Sequence, residues 1–425
     1  MKYEPEIIRS KLTGEECHLY HHPSGLDVMV MRLEGFRTTE AMFATKYGSV
    51  NNRFRTVDSN EVITVPDGIA HYLEHKLFEN EESGVYELYA KTGASANAFT
   101  TFGATAYTFS VSGDYKQPLR ILLDFVQKPY FTQENVEKER EIITQEINMS
   151  NDSPSRAIFF AVLGAMYHNH PVRIDIAGTV DSIKDITPEL LYKCYNTFYN
   201  LHNMVLSISG NIEDEEVLSI CDECLTPAPD IKLETIFPDE PAGVVKKRVH
   251  LVRQVGVPIF MLGFKCDPLK GSERYRRSLA ADIMLRMLFG PLSPWYKKAF
   301  ESGLINSAFG TEVFSAEEGY FTILLSGESK NIDALYDSIV KEIEENKKRP
   351  MDEDLFRTLL RGSYGSEIRK FNMVSDCTDI MCSAYLQHVS PFENVDILST
   401  LTIDEVFDTI SLLDIDRSSL CTVSN

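Results

Sequence analysis

Hydrophobic and polar positions along the chain fall into two successive stretches with the same order of elements. In the first, apolar runs at 25–33 and 41–49 predict strands, and a helical repeat follows at 68–79. Strands are expected again at 94–100 and 105–112, then helices at 115–127, 134–150, 153–169 and 187–199. The β-branched run 203–210 closes this stretch as a strand. The second stretch predicts strands at 244–254 and 258–266, helices at 272–289 and 294–301, and strands at 305–313 and 319–326. Helices at 331–346, 352–371, 375–388 and 402–413 lead to a final strand at 418–424. The same order of elements twice in one chain implies an internal duplication.

Between the two stretches the composition changes. Residues 226–243 carry Pro227, Pro229, Pro238 and Pro241 among acidic residues, and read as a linker. The expected division is a domain at 1–228, a linker at 229–243 and a second domain at 244–425. A length of 425 residues supports this, being too long for one ordinary core.

The net charge of -21 argues against a nucleic-acid partner, since phosphates would be repelled. It gives only a mild preference for basic peptides. No apolar run approaches the ~20 residues of a membrane span, and residues 1–6 lead into no apolar signal segment. A cytoplasmic location with no membrane partner is expected, and with it eight reduced thiols. Cys221 and Cys224 form a lone Cys-x-x-Cys in an amphipathic helix at 215–225, where they read as packing residues.

Chemistry concentrates in the first stretch, at His71-Tyr72-Leu73-Glu74-His75. On a helix, positions 71 and 75 lie about 40° apart, with position 74 about 60° to the other side. Two imidazoles at that spacing can bind one zinc ion, and the carboxylate between them can act on a water beside it. The order His-x-x-Glu-His inverts the commoner zinc-protease motif and marks the inverzincins. Laid on the second stretch, His71, Glu74 and His75 fall on Asp282, Leu285 and Arg286, while Leu77-Phe78 recurs as Leu288-Phe289. Leu285 has no proton to exchange and Arg286 cannot bind a metal, so one half carries chemistry and the other is an inert copy.

A catalytic zinc needs a third protein ligand. In the acidic helix at 134–150, Glu139 and Glu146 are seven residues apart and lie within about 20° on one face. Helical spacing does not choose between them.

Three segments together resemble the pitrilysin/insulinase superfamily of zinc metallopeptidases, which includes the β subunit of mitochondrial processing peptidase. Gly68-Ile-Ala-His71-Tyr-Leu-Glu74-His75-Lys-Leu-Phe78 is similar to the family's metal helix. Gly93-Ala-Ser-Ala-Asn97-Ala98-Phe99-Thr100, followed by Thr105-Ala-Tyr107, resembles its substrate strand. Glu139-Arg140-Glu-Ile-Ile-Thr-Gln-Glu146 resembles its third-ligand helix. The likeness covers nearly the whole chain and is strongest to short bacterial members. Tyr167-x-x-His170-Pro171-Val172-Arg173-Ile-Asp175-Ile-Ala-Gly178-Thr179 also resembles that group, with His168 and His170 capping or packing near a helix end.

The resemblance implies an α+β fold of two homologous α/β-sandwich domains, each a largely antiparallel sheet packed against helices, forming half of a clamshell. It makes His71, His75 and Glu146 the ligands of one Zn²⁺ per chain and Glu74 the general base. Glu139 becomes a carboxylate that orients the site, and Asn97, Ala98 and Phe99 lie beside a bound peptide, pairing by strand addition. The implied function is a zinc-dependent endopeptidase cleaving peptides or small unfolded precursors inside a dimeric chamber. The alternatives are a subunit of a heterodimeric peptide-maturation protease and a non-catalytic scaffold. Family members that act alone carry an Arg and a Tyr in the later half. Aligned on Gly303-Leu304, those positions hold Ala299 and Asn306, which lack a guanidinium and a phenol. The resemblance therefore favours a heterodimer with a homologous partner chain over a homodimer.

Overall fold

The computed structural model describes residues 3–56, 59, 61–79 and 84–425. The first half opens with strands β1 (Glu6–Arg9), β2 (Glu16–His21), β3 (Asp27–Arg32) and β4 (Thr38–Thr45), then the short β5 (Arg53–Thr56) and β6 (Ile63–Thr64). Helices α1 (Ile69–Leu77) and α2 (Val85–Ala90) precede the hairpin of β7 (Ser95–Thr100) and β8 (Thr105–Ser112). Four helices follow: α3 (Lys116–Val126), α4 (Gln133–Asp152), α5 (Pro154–Met166) and α6 (Pro188–Phe198). Then come β9 (Met204–Gly210), α7 (Asp214–Cys224) and β10 (Leu233–Thr235).

The second half begins with β11 (Arg248–Val252), β12 (Ile259–Cys266), α8 (Gly271–Phe289) and α9 (Pro294–Glu301). Strands β13 (Gly310–Ala316) and β14 (Tyr320–Glu328) lead to α10 (Ile332–Asn346), α11 (Glu353–Lys370) and α12 (Val374–Leu386). Helices α13 (Glu393–Thr400) and α14 (Ile403–Asp408) precede the last strand, β15 (Ser418–Ser424).

The first large sheet runs β1-β2-β3-β9-β4-β8-β7 and the second β11-β15-β12-β14-β13. Strand for strand, β3-β9-β4-β8-β7 repeats as β11-β15-β12-β14-β13. The pair β3–β9 is parallel, as is its counterpart β11–β15, and the other neighbours are antiparallel. The duplication read from the sequence is thus present in the topology. The first sheet has two additional strands, β1 and β2, whose short charged sequences gave no clear alternation. Residues 305–309, expected in a strand, form turns instead: Leu304 and Ile305 both donate to the Ala299 carbonyl, and Phe309 donates to Asn306.

In the first sheet, strand alternation sends Val28 and Val30 into a core with Phe43, Leu206 and Ile208, filled by Leu73, Leu122 and Phe198 from the helices. The opposite face is covered by α12, a helix from the second half, which packs on β9 and β4. There the Ser209 hydroxyl donates to the Val374 carbonyl at 2.7 Å and meets the Thr378 hydroxyl at 2.6 Å. The corresponding helix of the first half, α5, packs on β15 and β12. Gly263 of β12 lets it approach, since a Cβ there would lie 2.7 Å from Met166 Sδ and 3.0 Å from Val162 Cγ2.

The compact units are accordingly interleaved. One comprises Met1–Ile147, Asp175–Ile236 and Ile368–Phe392, the other Asn148–Ile174, Phe237–Glu367 and Glu393–Asn425. The division at 1–228 and 244–425 followed composition, which carries no trace of an exchange of helices between halves.

The segment 229–243 is more than a spacer. Its β10 pairs antiparallel with β5. Further on, the Glu240 carboxylate accepts the backbone N–H groups of His168, Asn169 and His170 and the Lys265 ammonium, at 2.6–2.8 Å. Lys265, only 3% exposed, also reaches the carbonyls of Met166, Pro241 and Gly243. Burial acts to raise the Glu240 pKa, but these donors hold it down at about 2. Burial pulls the Lys265 pKa below its ordinary value despite Glu240.

Helix α1 is fixed at its start by two glycines. Gly68 (φ +93°) and Gly178 (φ +73°) sit back to back: a Cβ on Gly68 would lie 2.4 Å from the Ala177 carbonyl oxygen, and one on Gly178 2.4 Å from that of Asp67. The Ser182 hydroxyl donates to the same Asp67 carbonyl at 2.8 Å.

Three outcomes are expected. Lys265→Met leaves the half-buried Glu240 carboxylate without its cation and should cost about 1.5–3 kcal/mol in urea unfolding at pH 7. Because the Glu240 pKa is depressed when folded, its contribution is complete above the ordinary carboxylate range and fades as pH falls toward about 2. Glu240→Gln should therefore flatten the loss of stability between about pH 4.5 and 2. Gly68→Ala combines a left-handed backbone with a clash against backbone, and should lower stability by at least about 2 kcal/mol. Hydrogen exchange across 69–77 should show the loss first, and unchanged protection there would refute the role given to this contact.

Candidate active site

Helices α1 and α4 bring the predicted residues together. The Tyr72 hydroxyl donates to the Val136 carbonyl, and the Lys76 ammonium to the Asn135 carbonyl at 3.2 Å and to Glu79 at 2.5 Å. Lys76 is fully buried, an unusual state for a lysine that is tolerated because these acceptors meet it. Further along α4, Arg140 donates to the carbonyls of Ile183 and Ile186. The position of α4 is thus set by polar contacts to α1 on one side of Glu139 and to residues 183–186 on the other.

One residue before Tyr72 and Lys76, the His71 and His75 rings also face α4 and lie 4.6 Å apart, centroid to centroid. One Glu146 oxygen is 3.6 Å from His71 Nε2, and the other is 3.5 Å from His75 Nε2. All three donor groups lie within 4.8 Å of one another. Ligand atoms around a four-coordinate zinc stand about 3.3 Å apart, so the separations suit one ion, and two imidazoles with a carboxylate are a donor set zinc accepts. Between Glu139 and Glu146, which the spacing left equal, the geometry separates the two. Glu146 reaches both Nε2 atoms, whereas Glu139 is buried and bonds His75 Nδ1 at 2.9 Å. That bond turns Nε2 toward Glu146 and fixes the ring.

The charges follow from these contacts. Burial alone would lower the His75 pKa, but the Glu139 bond outweighs it and the net shift is upward. Burial would raise Glu139, yet His75 and the nearby Lys76 bring it below its ordinary value. Glu74 is buried and raised by that burial, with the Thr100 hydrogen bond and His75 opposing and Glu146 adding to the rise. A carboxylate held above its usual range exchanges protons near neutrality more readily.

Thr100 was not singled out as a site residue. Its hydroxyl donates to Glu74 at 2.6 Å, aiming the carboxylate. The sequence signal was present: alternation along β7 puts Ala96, Ala98 and Thr100 on the inner row. Asn97 and Phe99 occupy the exposed row, so the three expected peptide-binding residues do not share a face. What they share is the strand, and β7 is the outermost of its sheet, with nothing paired to its far edge among the described residues. Tyr86, also not anticipated, stacks on Phe78 at 4.8 Å, close enough for Glu74 to add to the rise of its phenol pKa, which burial begins.

The second half repeats the scaffold without the donors. Arg286, at the His75 position, donates to the Ser363 hydroxyl of α11 at 2.6 Å and lies 3.6 Å from Asp282, at the His71 position. Leu285, at the Glu74 position, is core. Ala299 is buried in α9, and Asn306 donates to Glu328 at 2.7 Å, so neither position offers a cation or phenol. Cys221 is buried in α7, Cys224 half-buried, and all eight cysteines are free thiols. His170 caps a short helix at Pro171–Arg173, as expected of a packing residue. No helix among the described residues is long and apolar enough to cross a membrane.

Residues 65–180 match the model of the insulinase family (peptidase family M16), and residues 185–362 match that of the peptidase M16 inactive domain. An uncharacterized zinc protease of Bacillus subtilis, YmfH, is 39% identical over 415 residues, covering 95% of this chain and 96% of that protein. The crystal structure of an M16-like peptidase from Alicyclobacillus acidocaldarius superposes with a TM-score of 0.91 at 34% identity, covering 100% of this chain and 98% of that one. The periplasmic protease PqqL of Escherichia coli shares the fold, with a TM-score of 0.75 at 15% identity, over 99% of this chain but 48% of its own. The chain belongs to the insulinase family, peptidase family M16.

Proposed function

We propose that this chain is a zinc-dependent endopeptidase that cleaves peptides or small unfolded precursors, with its catalytic centre in the first half. The observation that carries the reading is the pairing of a His71/His75/Glu146 donor set with a buried, hydroxyl-aimed carboxylate one turn away, at Glu74. The metal, when held by those three residues, supplies Lewis acidity that polarises a scissile carbonyl and makes water easier to deprotonate. Glu74 takes the proton of the attacking water and delivers it to the leaving amine, with Thr100 keeping its carboxylate in position. Glu139 acts through His75, holding the imidazole in the tautomer that presents Nε2. The open edge of β7 receives the substrate as an added strand, so recognition rests on the peptide backbone more than on any one side chain.

A second chain of the same fold completes the enclosure. The chain matches 48% of PqqL, which carries about twice this length in one polypeptide. The second half offers a buried Ala299 and a tethered Asn306 where substrate-clamping donors are wanted. An oxyanion donor is commonly worth about 3 kcal/mol, so a homologous partner supplying an Arg and a Tyr is favoured over a homodimer.

Glu74→Gln should retain one zinc per chain by elemental analysis while peptide turnover falls about 10²–10⁴-fold. Retained activity in that variant would remove Glu74 from the chemistry, and a wild-type chain that binds no zinc would remove the whole reading. Purified from its native source, the chain should bring with it a homologous protein lacking His-x-x-Glu-His. Adding that protein should raise turnover at least tenfold, and a fully active homodimer would argue against it.

A further inference from the structure

The duplication leaves one position filled in the first sheet and open in the second. Beside β3 lies β2, antiparallel, with His18 opposite Val30 and His21 opposite Asp27. The equivalent strand of the second sheet is β11, and among the described residues nothing pairs with its outer side. In the parallel ladder with β15, Lys247 accepts from Leu420 and Arg253 donates to Ser424, so the bonded residues are 247, 249, 251 and 253. The backbone N–H and C=O groups of Arg248, His250 and Val252 therefore point outward.

The side chains of this edge are as unusual as its backbone. From 241 to 266 the sequence has no carboxylate, whereas Lys246, Lys247, Arg248 and Arg253 cluster around β11, in a chain whose net charge is -21. Lys247 is partly engaged with the carbonyls of Ile415 and Asp416, and Arg248 with Asp333. Lys246 and Arg253 are exposed, the Arg253 guanidinium donating to the outward Val252 carbonyl at 3.0 Å, and the Val252 side chain is exposed at 67%. A groove of about 500 Å³ runs alongside, bounded by Arg248, His250, Lys330 and Asp333. A strand edge with an exposed apolar side chain between cations is not fully guarded by charge, since lysines that protect an edge work by leaving nothing apolar to cover.

We propose that β11 docks an acidic, extended segment of another polypeptide, which adds to the second sheet as a sixth strand in the place that β2 occupies in the first. Backbone pairing supplies the register, and carboxylates on the incoming strand meet the local cations. The rest of the chain, being acidic, repels such a segment elsewhere and so confines it to this edge.

The test uses the full chain and a fluorescein-labelled seven-residue peptide of alternating Glu and Val, read by fluorescence anisotropy at low and high salt. The acidic peptide should bind, more weakly as salt rises. Replacing its Glu by Lys, or N-methylating every second residue, should weaken binding at least tenfold. His250→Pro should do the same, because it removes an N–H that faces outward while leaving the β15 ladder whole. A circular-dichroism melt checks that this variant folds, and the N-methyl peptide asks the same question of the wild type if it does not. Lys246→Glu combined with Arg253→Glu should also weaken binding at least tenfold. The proposal is overturned if the acidic peptide does not bind, which would leave the cations as edge protection alone. It is equally overturned if the N-methylated peptide binds as tightly as its parent, or if a single-stranded RNA 12-mer binds more tightly than the peptide.

Discussion

Everything at the candidate centre depends on how α4 lies across α1, and that crossing is fixed by polar contacts rather than by apolar packing alone. Lys76 is buried with its ammonium between Glu79 and the Asn135 carbonyl, Tyr72 reaches the Val136 carbonyl, and His75 meets Glu139. Each of the bonds to α4 would leave a buried polar group unsatisfied if α4 slid by one residue, at about 1–3 kcal/mol per group. Apolar side chains tolerate small slides; these groups do not. The result is that Glu146, two helical turns beyond the last of these contacts, is delivered within 3.6 Å of both imidazoles although its own side chain is 44% exposed.

The same logic explains why so much of the centre was legible in the sequence. His71, Glu74 and His75 lie within five residues on one helix, so their relative placement needs only the helical repeat. Glu146 and Glu139 share a face of α4, and that too is periodicity. What periodicity does not contain is which of the two faces the Nε2 atoms of His71 and His75, because that depends on the tilt of α4, set by Lys76, Tyr72 and Arg140 through backbone carbonyls. Backbone acceptors have no sequence signature. Thr100 was hidden for a related reason: a threonine in a strand is ordinary, and only the approach of β7 to α1 gives it a partner.

The fold divides in the same way. Strands and helices with clear alternation or helical repeat were found nearly where expected, because local burial pattern dictates them. The strands β1 and β2 were missed, as was β10, whose three residues lie inside a proline-rich segment. Their pairing is decided by neighbours distant in sequence, β10 by β5 and β2 by β3. The exchange of α5 and α12 between the sequence halves was beyond reach for a stronger reason. Each helix has an apolar face that either sheet could bury, and the choice rests on fit at a few points, such as Gly263 against Met166 and Ser209 against Thr378.

The two halves keep one scaffold with different groups at the corresponding positions. In the first half, the His71, His75 and Glu146 positions bring together groups that want a cation. In the second, Arg286 stands at the place of His75 and supplies a fixed positive charge beside Asp282. The spacing of Arg140 to Glu146 recurs as Arg361 to Glu367, so α11 keeps an acidic residue at the corresponding place. A guanidinium is always charged and needs no metal to satisfy nearby carboxylates, so the second half is internally neutralised where the first is poised for an ion. With Leu285 closing the Glu74 position into the core, that half is free to serve other ends, and an open, cationic β11 is a feature the first half, with β2 in place, could not have offered.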